Sequence, residues 1–195
     1  MEIIIHRVNS IDSLNKVPNH FGTEIDVRVF GSKLVLNHEP FQNGEDLDNY
    51  LDEYVHGTLI LNIKEAGIES EVLRRVRLRE KIKSYFLLDV EFPYLYRASR
   101  DGEKSIAVRY SEDESIETVK KYVNKVDWLW IDTLTTLPIL YEDIQILSQF
   151  KTCLVCPERW GRPNDIIQYR NRLSEFSISL DAVMTASMYA SKWYE

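Results

Sequence analysis

A compact α/β barrel of eight parallel strands, (β/α)8, is the fold this 195-residue sequence predicts, and three observations predict it. Short, wholly apolar runs alternate with segments of helical period. Nearly every run ends in an ionisable residue. No glycine-rich turn follows the first run, as an open dinucleotide-binding sheet would require. The runs are IIIHR (3–7), TEIDVR (23–28), LILNIKE (59–65), FLLDVE (86–91), IAVRY (106–110), WLWID (128–132), CLVCPER (153–159) and AVMT (182–185). Runs of this length suit strands buried on both faces. Charges gathered at one end of each make one face of the sheet wet and chemically equipped, where a parallel barrel keeps its active site.

The elements follow in order. After the first strand, residues 9–21 leave room for a helical turn or two. After the second, SKLVLNHE (32–39) is a further extended piece opened by Gly31. In EDLDNYLDEYV, Leu47, Tyr50, Leu51, Tyr54 and Val55 form one helical stripe opposite a row of acids, and His56-Gly57 is expected to close the helix. Ile68, Val72, Leu73 and Val76 are the stripe of a strongly basic helix, more simply a solvated barrel exterior than a nucleic-acid patch. Three further stripes follow, through Val119, Tyr122, Val123 and Val126, through Leu140, Ile144 and Leu147, and through Ile166, Tyr169, Leu173 and Phe176. Pro138 and Pro163 stand just ahead of helices, where a missing N–H does no harm. No linker or repeat divides the chain, so residues 1–195 are expected to form a single domain.

Bulk charge narrows the function. The net charge is −7, which lacks the basic footprint of a nucleic-acid binder and does not favour anionic membranes. No apolar stretch is long enough to cross a membrane, and MEIIIHRV is charged too early for a signal peptide. Cys153 and Cys156, expected within one strand and on opposite faces, read as packing thiols rather than a disulfide or metal knuckle. A cytoplasmic setting follows.

Strand parity places Glu24 with Asp26 on one face, Asn62 with Lys64 on another, and Asp89 with Glu91 on a third. Two neighbouring carboxylates repel unless a cation or a proton sits between them. Oxygen-rich ligation with few nitrogens suits Mg2+ or Ca2+ better than zinc. His6 and His38 are the natural acid–base pair. Arg7 and Lys64 supply positive charge for a phosphate, and Arg109 is a further candidate for the mouth.

These residues resemble the glycerophosphodiester phosphodiesterases. His6-Arg7 after the first strand, Glu24-x-Asp26 on the second, and Asn37-His38-Glu39 beyond it are similar to that family's His-Arg-Gly, Glu-x-Asp and His-Asp motifs. Asn62-Ile63-Lys64 lines up with its Glu-x-Lys, and DAVMT (181–185) with its final strand. The resemblance implies a phosphodiesterase barrel acting on a small-molecule phosphodiester. His6 and His38 would be general base and acid, with a divalent cation, Mg2+ or Ca2+, on Glu24 and Asp26 and with Asn62 and Glu91 as secondary ligands. The attacking group would be a neighbouring hydroxyl of the substrate. The departures are Val8 for the glycine, Glu39 for the aspartate, Asn62 for a metal carboxylate, and NSIDSLNKVPN for the usual Pro-Glu-Asn-Thr stretch. They motivate a second expectation, a catalytically degenerate barrel that binds a phosphorylated or nucleotide-linked ligand.

Overall fold

The computed structural model describes residues 1–194 as an α/β chain in two compact units, Ile4–Leu95 and residues 1–3 with Tyr96 onward. In the first unit the parallel strands are β1 (Glu2–Ile5, shared with the second unit), β2 (Gly22–Phe30), β5 (Leu59–Ile63) and β6 (Tyr85–Leu88). β2 pairs with β1 and with β5, and β5 with β6. Their interior is continuous: Ile3, Ile4, Ile25, Leu59, Ile60, Leu61, Phe86 and Leu87 have no exposed surface. Burial on both faces is what the unbroken apolar runs demand.

β2 is longer than its apolar run. Its end, from Val27 to Phe30, turns at Gly31 into the antiparallel strand β3 (Lys33–Leu36). Gly31 sits at φ +64, in the left-handed region that favours glycine. The chain then returns through residues 37–44 to a two-residue strand, β4 (Glu45–Asp46), on β3. A Cβ at Gly44 would lie 2.1 Å from the Leu36 carbonyl oxygen, so only glycine lets the loop bearing His38 fold this closely onto β3.

α1 (Ile11–Leu14) is the single turn that residues 9–21 allow, closed by a Ser10–Ser13 capping box. α2 (Leu47–Glu53) begins at the Asp46 cap and stops earlier than its stripe suggests. Tyr54 ends it in extended backbone, and His56 instead directs Nε2 to the Val17 carbonyl at 3.0 Å. α3 (Glu69–Arg77) is the basic helix, and its charges are answered locally. Arg75 and Arg79 both pair with Asp48 of α2, and Arg79 also with Asp52. The basic face therefore docks on the acidic face of α2.

The second unit carries β7 (Ala107–Tyr110), β8 (Trp128–Ile131), β9 (Lys151–Val155) and β10 (Ala182–Thr185), paired in parallel in that order. The Glu2 N–H bonds to the Asp181 carbonyl at 2.7 Å, ahead of β10. α4 (Phe92–Arg100) runs from the first unit into the second, followed by α5 (Ile116–Lys120), α6 (Ile144–Leu147) and α7 (Asp165–Glu175). α5 covers only the start of its expected stripe, the rest continuing as turns. Cys156 lies one residue beyond β9 rather than within it; both thiols are buried and free. Among the described residues no helix is long and apolar enough to cross a membrane.

Candidate active site

The charged ends of β1, β2 and β5 converge in the first unit. Glu24 and Asp26, on one face of β2, are 3% and 1% exposed, and Asn62, the register partner of Asp26 on β5, is 7% exposed. Two carboxylates at this depth need donors; three of the four oxygens accept a hydrogen bond, and the fourth faces an ammonium. Glu24 Oε2 accepts the Arg7 backbone N–H at 2.6 Å, and Oε1 accepts the Asn62 amide at 2.9 Å. Asp26 Oδ2 accepts the Asn9 amide at 2.8 Å, and Oδ1 faces the Lys64 ammonium at 3.2 Å. Asn9 closes a ring by accepting the Asp26 N–H on its own carbonyl at 2.8 Å.

Arg7 serves the site twice. It stands just past β1 in left-handed backbone, φ +54, which turns its N–H toward Glu24 while its side chain reaches outward. There Nη2 lies 2.9 Å from His38 Nε2. A guanidinium only donates, so Nε2 carries the lone pair and the ring proton is on Nδ1, given to Glu39 Oε1 at 2.7 Å. That hydrogen bond, with the nearby Arg7 and Arg28 charges, holds the Glu39 carboxyl below its ordinary value. The loop is fixed from behind by Arg28, two residues on from Asp26 along the same face. It donates through Nε and Nη2 to the His38 carbonyl, at 3.1 and 2.9 Å, and through Nη1 to the Lys64 carbonyl at 3.3 Å. His6 is half-buried immediately after β1.

The structure thus brings Arg7, Glu24, Asp26, His38, Asn62 and Lys64 into one connected group, with His6 beside Arg7 in the chain. It adds Asn9 and Arg28, which sequence reasoning did not place there. Arg28 carries a usable signal, since period-two alternation puts it in line with Glu24 and Asp26. Asn9 carries none.

Glu91 is not among them. β6 ends at Leu88, and Asp89 turns into left-handed backbone at φ +55, so Asp89 and Glu91 do not share a strand face. Asp89 approaches Lys64 at 3.9 Å, whereas Glu91 is exposed ahead of α4, its carbonyl accepting the Leu95 N–H at 3.0 Å. Arg109 lies in the second unit, engaged with Glu114 at 2.6 Å and Asp132 at 2.9 Å. Asp132 also accepts the Trp160 indole N–H at 2.9 Å, and Glu158 accepts the Ala186 N–H at 2.8 Å.

The donor set bears on a cation. Asp26 Oδ1 and Asn62 Oδ1 are both buried without a hydrogen-bond partner, a condition that costs about 1–3 kcal/mol per group. Two carboxylates and an amide carbonyl make an all-oxygen set, which fits Mg2+ or Ca2+. Among the described residues no three His, Cys, Asp or Glu side chains gather for a metal.

Burial, then the charge of Asp26, push the Glu24 carboxyl from 4.5 up to about 7, against the Arg7 and Asn62 hydrogen bonds and Lys64. The folded protein therefore holds this proton more tightly than the unfolded chain. Its contribution is full below pH about 4.5 and is lost as pH rises through about 7. Urea unfolding in EDTA checks the sign. From pH 4 to pH 8, wild type is expected to lose about 3 kcal/mol relative to Glu24→Gln. A relative gain would contradict the assignment.

Two solved structures bear on the fold. A crystal structure of glycerophosphodiester phosphodiesterase from Agrobacterium tumefaciens C58 superposes with TM-score 0.66 at 12% identity, covering 100% of both chains. A second from the same strain, assigned as a glycerophosphoryl diester phosphodiesterase, gives 0.67 at 7% identity over 100% of this chain and 99% of that one. The chain has the glycerophosphodiester phosphodiesterase fold. No protein-family model and no curated protein matches it. The likeness is therefore one of architecture, end to end, and the chemistry rests on the residues above.

Proposed function

We propose that this chain cleaves a small phosphodiester on a closed (β/α)8 barrel, with His38 and His6 exchanging protons. The observation that carries the reading is the Arg7–His38 contact beside a buried carboxylate pair with one oxygen, Asp26 Oδ1, left without a hydrogen-bond donor. Full-length likeness to phosphodiesterase structures supports the barrel. His38 is poised as the base, the reverse of the order that the family resemblance implies, because its Nε2 carries the lone pair. Its Nε2 lone pair is held by Arg7, and a phosphate that draws the guanidinium away frees it to take a proton from an attacking hydroxyl. As that oxygen bonds to phosphorus, His6 protonates the departing alkoxide and the old P–O bond breaks. Arg7 and Lys64 bind the non-bridging oxygens. Glu24, Asp26 and Asn62 would hold Mg2+ or Ca2+, with Glu91 reaching it only by a movement of its loop. When bound, the cation supplies stabilisation of charge developing on the phosphoryl oxygens.

Hydrolysis of bis(p-nitrophenyl) phosphate and glycerophosphodiesters with Mg2+, Ca2+ or EDTA tests this, beside thermal shift with the same cations. Cation-dependent turnover, with a thermal shift lost in Asp26→Asn, is the expected result. No turnover and no cation shift would favour the second reading, a barrel that binds a phosphorylated or nucleotide-linked ligand unchanged. The neutral Asn62 in the third oxygen position favours that alternative.

A further inference from the structure

Along β2, Glu24, Asp26, Arg28 and Phe30 alternate onto one face, advancing about 6.7 Å at each step. The first two belong to the buried pair and the third secures the His38 loop. The fourth ends the line as a phenyl ring that is 43% exposed. It borders a cavity of 510 Å3, lined by residues 28–31 of the β2 end and turn, with Pro40, Phe41 and Glu65. The segments that line this space are also the ones that carry the site. Pro40 and Phe41 follow His38 in the chain, Glu65 follows Lys64, and Arg28 binds both the His38 and Lys64 carbonyls. Phe41 is 94% exposed and sits at φ +62, a conformation unfavourable for a bulky side chain.

The polarity of the walls decides what fits. Arg28 is occupied by the two carbonyls and by Glu65 at 3.6 Å. Apart from that ion pair, the side chains are Val29, two phenyl rings and a pyrrolidine. A polyol would find few partners here, whereas an apolar group would cover Phe30 and Phe41. The volume falls within the range of small-ligand sites, about 300–1,000 Å3. We infer that this cavity is the subsite for one alcohol of the phosphodiester, and that this alcohol is apolar, an aryl or alkyl group rather than glycerol.

This rests on the phosphodiesterase reading, and the test separates the two. Calorimetry compares phenyl phosphate with inorganic phosphate, and kinetics compares bis(p-nitrophenyl) phosphate with glycerophosphoglycerol, in wild type, Phe30→Thr and Phe41→Ser. Phe41 is almost wholly exposed and Phe30 nearly half, so circular dichroism is expected to report an intact fold in either variant. Phenyl phosphate should bind about tenfold tighter than inorganic phosphate. Each substitution should erase most of that advantage and lower the kcat/KM preference for the aryl ester by a similar factor. Val55→Ser, at a 58% exposed apolar residue ahead of β5, should leave both ratios unchanged. Phosphate binding without an aryl advantage, or an advantage that survives both substitutions, overturns the subsite alone. Absence of both phosphate binding and turnover overturns the phosphodiesterase reading and the subsite with it. An octyl phosphate arm distinguishes alkyl from aryl occupants.

Discussion

His38→Ala and His6→Ala are each expected to lower kcat for bis(p-nitrophenyl) phosphate by about 10²- to 10⁴-fold, the usual worth of a positioned proton-transfer group. The two substitutions should differ in their dependence on the leaving group, since His38 accepts through Nε2 and His6 is left to donate. Substrates with good leaving groups depend less on an acid, so His6→Ala should be milder on the p-nitrophenyl ester than on a glycerol ester. Equal effects on both esters for both variants would show that the histidines do not divide the work in this way. Glu39→Gln adds a finer check. It keeps an acceptor for the Nδ1 proton but removes the negative charge facing the ring, so turnover should fall less than in His38→Ala.

The largest stability effect is expected at Lys64. Its ammonium is the cation nearest the Asp26 carboxylate, at 3.2 Å, with Asp26 1% and the lysine side chain 18% exposed. Lys64→Met keeps the stem and leaves two buried carboxylates side by side without it. Breaking a buried pair from one side destabilises by about 3–5 kcal/mol, and urea unfolding in EDTA at pH 8 should show a loss in that range. Millimolar Mg2+ or Ca2+ should return part of it, since a divalent ion then does for the carboxylates what the ammonium did. A loss below about 1 kcal/mol, as for an exposed pair, would mean that the Asn9, Asn62 and Arg7 hydrogen bonds alone sustain the two charges.

The strands were the legible part of the fold, for a physical reason. A strand buried on both faces writes its position directly into composition, and the runs at 3–7, 59–65, 128–132 and 182–185 all became strands. Element ends were less legible. Nothing local distinguishes the Leu88–Asp89 boundary, where the backbone turns left-handed, so the FLLDVE run reads as one strand through Glu91. The α2 stripe continues past Glu53 in pattern but not in backbone, because Tyr54 turns to extended geometry. Within the site, Glu24, Asp26, Asn62 and Lys64 were readable because alternation in strands fixes their side. The Asn9 pairing with Asp26 spans 17 residues, and the Arg7 contact with His38 spans 31. Contacts of that range are made by folding and leave no local pattern.

Arg7 places two demands on one position. Its left-handed backbone suits glycine, and an arginine there is strained by about 1–2 kcal/mol, while its guanidinium is what meets His38. Selection for heat resistance alone would drift this position toward glycine. Selection for turnover would hold arginine despite the lower melting point. Position 7 is therefore where an engineered thermostable form of this chain would first fall silent.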